Sequence, residues 1–135
     1  MIEVYIDGAS AGDPGPSGAG IFIKNKGELL RYAVPLDIMS NHEAEFQALI
    51  EALKICKDYE FGILSIRTDS QILDDALDRR YVKKSTYRHL LDQALNLIDK
   101  HFDHVFVKWI PSKQNKEADQ LARRAIQRSK EKKGT

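Results

Sequence analysis

Cysteine is nearly absent from this sequence, which contains only Cys56. One thiol has no partner for an intrachain disulfide, so a small disulfide-stabilised fold is excluded and a reducing, cytoplasmic setting is expected. The apolar runs are far shorter than the roughly 20 residues that a membrane-spanning helix requires. The first residues also lack the basic and apolar segments of a secretory signal. We therefore expect no membrane association and no secretion.

An excess of charge of either sign is also lacking, because the net charge is +1 over 135 residues. The distribution is uneven: residues 123–135 contain six lysines or arginines and one glutamate, whereas residues 1–122 are net acidic. The length and the 42% apolar content fit one globular domain. We predict a monomer with a domain over residues 1–128 and a basic, disordered tail over residues 129–135.

Two segments of the chain share a pattern in which a strand runs into an aspartate. Residues 2–7 alternate apolar and polar side chains, as a strand does, and end at Asp7 before a glycine-rich turn. Residues 61–70 form a second such segment that ends at Asp69. Each aspartate has a simpler explanation, since Asp-Gly is a common turn pair and Asp69 or Ser70 could cap the helix that follows.

The remaining patterns predict two more strands before a long helix, then two helices, a fifth strand and a final helix, in the order βββαβααβα. The predicted strands lie at 18–25, 27–36 and 104–110, and the predicted helices at 43–57, 71–80, 85–102 and after residue 115. An α/β fold follows, with a five-stranded mixed sheet of three antiparallel and two parallel strands flanked by helices. If the fourth strand lies parallel to the first, Asp7 and Asp69 are neighbours about 5 Å apart.

Two further carboxylates could reach the same end of the sheet. Glu45 falls on the apolar stripe of the first helix, where an unpaired carboxylate is costly and a cation or the helix N-terminus would explain it. In the last helix, Glu117 and Asp119 are about 200° apart around the axis, so only one can face the site. The spacing alone does not decide between them.

With these pieces in place, the chain resembles the type 1 ribonuclease H family, including its small reverse-transcriptase-associated members. The matching segments, in order, are YIDGASAGDPGPSGAG, SNHEAEFQALIEAL, IRTDSQ and WIPSKQNKEADQLA. The resemblance implies a ribonuclease H-like fold. It places the family's four catalytic, metal-binding carboxylates on Asp7, Glu45, Asp69 and Asp119, and so favours Asp119 over Glu117.

The activity implied by the resemblance is metal-dependent endonucleolytic hydrolysis of the RNA strand of RNA/DNA hybrids, leaving 5′-phosphate and 3′-hydroxyl ends. Close carboxylates suit a pair of hard divalent cations, Mg2+ or Mn2+, of which one activates water and the other stabilises the leaving oxygen. The resemblance also implies substrate contacts. Backbone and polar groups that would read the minor groove of the hybrid are Gly8, Ala9, Ser10, Gly12, Asn41 and Gln71. Lys83 and Lys84 could hold phosphates without sequence preference. The lysines could equally serve solubility alone.

The sequence departs from the family pattern at three places. Many members carry asparagine where this chain has Asp13 and His42, and larger members carry a histidine that is missing here between Trp109 and Asp119. These departures leave two alternatives open: a weakly active or inactive ribonuclease H-fold protein that binds nucleic acid, and a nuclease acting on double-stranded RNA.

Overall fold

A computed structural model describes residues 1–133 as a five-stranded sheet flanked by four α-helices. The elements are β1 (Ile2–Ser10), β2 (Gly15–Asn25), β3 (Glu28–Met39), α1 (Asn41–Asp58), β4 (Ile63–Thr68), α2 (Gln71–Arg79), α3 (Ser85–His101), β5 (His104–Trp109) and α4 (Lys116–Lys133), with a short 3-10 turn at Ser112–Gln114. The strand order is β3-β2-β1-β4-β5, with β1 to β3 antiparallel and β4 and β5 parallel to β1. The predicted fold class is confirmed.

Helices cover the sheet from both faces. Gly8 of β1 lies against α1, and Gly20 of β2 lies against α4. Gly8 pairs with Ala19, the neighbour of Gly20 in β2, so positions 8 and 20 point to opposite faces. Helix α1 carries the largest fully buried side chain, Phe46, and begins with a capping box at Ser40. The core therefore lies mainly between the sheet and α1, while α4 covers the other face of β1, β2 and β3.

The first strand is longer than the sequence predicts. We expected it to stop at Asp7, but β1 continues to Ser10 and pairs with β2 through Gly8, Ala9 and Ser10. The physical reason is packing: a Cβ atom at Gly8 would lie 2.0 Å from the Ala44 carbonyl oxygen of α1. This glycine permits a close approach of helix to strand instead of forming a turn.

The last helix also differs from the prediction. α4 continues to Lys133, through the first part of the segment expected to be a disordered tail. Ser129 is buried and its hydroxyl donates to the Leu36 carbonyl, 3.2 Å away, while Arg128 donates to the Ala33 carbonyl. These contacts tie the end of α4 to β3. Residues 134 and 135 of the predicted tail lie outside the described residues.

Among the helices within residues 1–133, none has the length and the apolar character that crossing a bilayer would require.

Candidate active site

A cleft of about 440 Å³ opens at the end of β1, where the chain brings side chains from four elements together. Its lining includes all four predicted carboxylates, Asp7 of β1, Glu45 of α1, Asp119 of α4 and Asp69, the residue after β4. The predicted residues Gly8, Ala9, Ser10 and Asn41 also line it, together with Ala11, Arg123 and Ile126.

Sheet register positions the two aspartates. Ile6 of β1 pairs with Thr68 of β4, so Asp7 and Asp69 are the next residues along two adjacent parallel strands. Both strands run in the same direction, and their carboxyl ends therefore present these side chains at the same end of the sheet.

Two glycines let the flanking helices approach closely enough to supply the other carboxylates. Gly8 meets α1 at Ala44, the residue before Glu45. Gly20, the cross-strand partner of Asp7, meets α4, where an added Cβ would lie 1.9 Å from the Ala118 carbonyl oxygen. The two close contacts thus place residues 45 and 119 beside β1 from opposite faces of the sheet.

Neighbouring side chains hold Glu45 and Asp119. The Ser70 hydroxyl donates to Glu45 Oε2 at 2.7 Å, and His42 Nδ1 lies 3.1 Å from the same oxygen. Arg123 Nε donates to Asp119 Oδ2 at 2.9 Å from one turn further along α4. Glu45 and Asp119 therefore have protein partners before any ligand binds.

The cleft disfavours negative charge at its centre. The pKa of Asp7 is raised from its ordinary value of 3.8 to about 8, and burial is the largest cause. The charges of Asp69 and Asp119, a hydrogen bond with Asp119 and the charge of Glu45 act in the same direction. Burial also raises the pKa of Asp69, although a hydrogen bond from Asn115 opposes the shift. A proton or a cation would relieve this repulsion.

The donor set of the cleft suits a hard divalent cation, because its ligands would be carboxylate oxygens without histidine or cysteine. Within residues 1–133, no three Asp, Glu, His or Cys side chains form a ready-made metal site. Glu45 and Asp119 are instead engaged by Ser70 and Arg123. Binding of a cation at Asp119 would require this carboxylate to exchange its hydrogen bond with Arg123 for the cation.

The remaining predicted residues lie outside the lining of the cleft. Gly12 is near its rim, where its carbonyl accepts a hydrogen bond from Ser10 at 2.6 Å. Gln71 donates to Asp75, whereas Lys83 lines a separate groove. The ammonium of Lys84 lies 4.8 Å from the centre of the Tyr87 ring. Glu117, the alternative to Asp119, pairs with Arg31 away from the cleft.

Sequence reasoning missed three residues that shape the site. Asn115 is buried and its side-chain amide donates to the Ile6 carbonyl at 2.8 Å, although 109 positions separate the two in the chain. No periodicity could have indicated this contact. Arg123 had been counted only as part of the basic terminus, although its spacing from Asp119 is a signal for a helical ion pair. For Ser70 the sequence indicates only a helix cap. The structure shows that role as well, because the Ser70 hydroxyl accepts a hydrogen bond from the Leu73 amide.

Comparison with known proteins shows the family to which the chain belongs. A family profile described as "Reverse transcriptase-like" matches residues 5–125. The chain is 39% identical over 130 residues to EbsB of Enterococcus faecalis, covering 95% of this chain and 96% of that protein. It is also 32% identical over 149 residues to a ribonuclease H of Chelativorans sp., covering 98% and 90% of the two chains. The chain belongs to the type 1 ribonuclease H family.

A crystal structure of a second ribonuclease H, the enzyme LC11 in complex with an RNA/DNA hybrid, superposes with a TM-score of 0.88 at 26% identity, and the match covers 96% of this chain and 99% of that one. The ribonuclease H fold is thus shared over nearly the whole length.

Proposed function

We propose that this ribonuclease H domain is a metal-dependent endonuclease that hydrolyses the RNA strand of RNA/DNA hybrids to 5′-phosphate and 3′-hydroxyl products. The observation that carries the proposal is the cleft, in which the half-buried Asp7 lies with three other carboxylates. The complex of the LC11 relative with an RNA/DNA hybrid supports the choice of substrate.

The four carboxylates would hold Mg2+ or Mn2+, two ions per site, which supply an activated water and stabilise charge on the leaving 3′ oxygen. Asp7 would have the central role, because the charges of Asp69, Asp119 and Glu45 all act on its carboxyl group. Asn115 anchors the loop before α4 to β1 through the Ile6 carbonyl, and so keeps Asp119 against that strand. Ser70 orients Glu45 through its 2.7 Å hydrogen bond.

Substrate would enter along the backbone of residues 8–10 and Asn41, which form one side of the cleft. Asn41 Oδ1 accepts from the Ser10 amide at 3.3 Å, so this side is held together by a link between β1 and α1. Small residues here leave room for a nucleic-acid minor groove, where ribose hydroxyls distinguish RNA from DNA.

The proposal is tested by incubating a hybrid with labelled RNA in Mg2+ and, separately, in Mn2+. We expect cleavage by the wild-type protein and a loss of at least about 100-fold for Asp69→Asn and Asp119→Asn, in the range seen when charge-stabilising groups are removed from active sites. Mass spectrometry of the fragments reports whether each cut leaves a 3′-hydroxyl on the upstream fragment and a 5′-phosphate on the downstream one.

Glu117→Gln is the matched control, because it removes one carboxylate from the same helix outside the cleft. We expect it to retain wild-type cleavage. Equal cleavage by the wild-type, Asp69→Asn and Asp119→Asn proteins, or no dependence on the divalent cation, would contradict the proposal.

One observation favours a second candidate function, in which the domain binds nucleic acid with little cleavage. Arg123 donates a hydrogen bond to the Asp119 carboxylate. A protein in which this ion pair persists would not have Asp119 available to bind a cation. Tight binding of the hybrid without turnover in either metal would support this second function. Competition by double-stranded RNA in the same assay separates a duplex-RNA nuclease from a hybrid-specific one.

A further inference from the structure

The two edges of the sheet are protected to different degrees. β3 forms one edge, and there α4 contributes hydrogen bonds from Arg128 and Ser129 to the Ala33 and Leu36 carbonyls. β5 forms the other edge, and no strand within residues 1–133 pairs with its outer side. An unprotected edge strand is a template for pairing with another chain.

The register of β5 shows which backbone groups are free. The amides of His104 and Ile110 donate to the Gly62 and Thr68 carbonyls on the side of β4. Backbone groups alternate in direction along a strand, so the N–H and C=O groups of the intervening odd-numbered residues, 105, 107 and 109, point away from the sheet. Three donor and acceptor pairs are therefore available for an added strand.

A groove of about 440 Å³ runs along this edge between β5 and α2. Residues 104–107 form one wall, and Asp74, Leu77 and Asp78 form the other. Neither aspartate takes part in an ion pair in the part of the chain that the structure describes. Burial, together with the charges of Asp75 and Asp78, raises the pKa of Asp74, as expected where negative charge is not neutralised.

The spacing of the groove matches an extended chain. Asp74 and Asp78 are four residues apart on α2, which corresponds to about 6 Å along the axis. Alternate residues of a strand are about 6.7 Å apart and point to the same face. On the opposite face of β5 the Phe106 ring is 47% exposed. The side chains of a strand added here would alternate between the two faces. One set would lie against Asp74 and Asp78, and the other set would lie over Phe106.

We propose that the groove docks an extended, basic segment of a partner protein, which adds a sixth strand beside β5. Lysine or arginine at positions i and i+2 of the segment would pair with Asp74 and Asp78, and an apolar residue between them would cover Phe106. Backbone hydrogen bonds supply affinity in this mode, and the alternating side chains supply specificity.

Charge distinguishes this occupant from the others. A second copy of the chain paired edge to edge would bring two sets of Asp74 and Asp78 together, and like charges would oppose the contact. Nucleic acid would bring phosphates against the same acids. A basic peptide is the partner whose charge complements the groove.

The test uses the full chain and the labelled peptide Thr-Lys-Phe-Lys-Val-Lys, with Thr-Glu-Phe-Glu-Val-Glu as its charge-reversed counterpart. We expect binding of the basic peptide below ~1 mM, about tenfold or more weaker binding to the Asp74→Asn/Asp78→Asn double variant, and no binding of the acidic peptide. Asp92→Asn, at an exposed position on α3, is the control and should bind as the wild type does.

Hydrogen exchange and N-methylation identify the mode of binding. The amides of Val105, Val107 and Trp109 should become protected when the peptide binds. Two further peptides are methylated on alternate backbone nitrogens, one on the odd-numbered and one on the even-numbered residues. Only the peptide whose methyl groups block the amides that face β5 should lose binding. Equal binding of both methylated peptides, equal binding of the acidic peptide, protection confined to other elements, or no binding at ~1 mM would overturn the proposal.

Discussion

Replacing Asp7 by asparagine should stabilise the protein in the absence of divalent cations while abolishing cleavage. Burial and neighbouring carboxylates raise the pKa of Asp7 from 3.8 to about 8, so the folded state favours its protonated form. For an acid shifted in this direction, destabilisation is absent below the unfolded pKa and grows as pH rises toward the folded one. At neutral pH the unfolded carboxyl is ionised, and folding must therefore return a proton to it, a cost that asparagine does not carry.

The size of the effect follows from the shift. One pKa unit corresponds to about 1.4 kcal/mol, so the interval of roughly three units between the ordinary pKa and pH 7 sets an upper bound near 4 kcal/mol. Burying the asparagine amide also costs free energy, so the variant gains less than this upper bound. We expect Asp7→Asn to raise the free energy of unfolding by about 2 kcal/mol. With a urea dependence near 2 kcal/mol per molar, the unfolding midpoint should rise by about 1 M.

The assay is urea unfolding at pH 7 and at pH 4 with a chelator, repeated with Mg2+. We expect the advantage of Asp7→Asn at pH 7 to shrink at pH 4, which is close to the ordinary pKa of 3.8, because the unfolded wild-type carboxyl is then about half protonated. The advantage should also shrink in Mg2+ if cations relieve the repulsion. Asp13→Asn, at an exposed position, is the control and should shift the midpoint little. A less stable Asp7→Asn protein at pH 7, or an equal gain in the control, would refute the reasoning.

Three further predictions concern the scaffold. Gly20→Ala should destabilise the fold by about 3 kcal/mol or more in urea unfolding, because the new Cβ would lie 1.9 Å from the Ala118 carbonyl oxygen, and near-wild-type stability would contradict the close contact. Ser40→Ala should cost about 1 kcal/mol through loss of the capping box of α1, and an unchanged midpoint would argue against that cap. Cys56 is buried and burial raises its pKa to about 12, so iodoacetamide at pH 8 should modify the native thiol at least ~100-fold more slowly than the urea-unfolded one, as mass spectrometry can measure.

The sequence alone predicted the features that depend on local pattern. Period-two alternation gave the strands, and the repeated strand-to-aspartate pattern indicated that Asp7 and Asp69 would be neighbours, which the register of β1 and β4 bears out. The resemblance added Asp119, which the structure places in the cleft, and Glu117 pairs elsewhere with Arg31.

Features that depend on tertiary packing were not accessible in this way. β1 passes through Gly8 because α1 packs against it, although glycine in the sequence is a signal for a turn. α4 extends over β3 because Ser129 finds a buried carbonyl there. The contact of Asn115 with Ile6 joins opposite ends of the chain, and no local pattern encodes such a contact.

The most direct test of the central claim is the binding of Mn2+ followed by paramagnetic broadening of amide resonances. We expect broadening centred on Asp7, Glu45, Asp69 and Asp119, and its loss in Asp7→Asn. The acidic face of α2 serves as an internal comparison, because it carries Asp74, Asp75 and Asp78 without the convergence seen in the cleft. Broadening confined to α2, or no binding at millimolar Mn2+, would contradict the account.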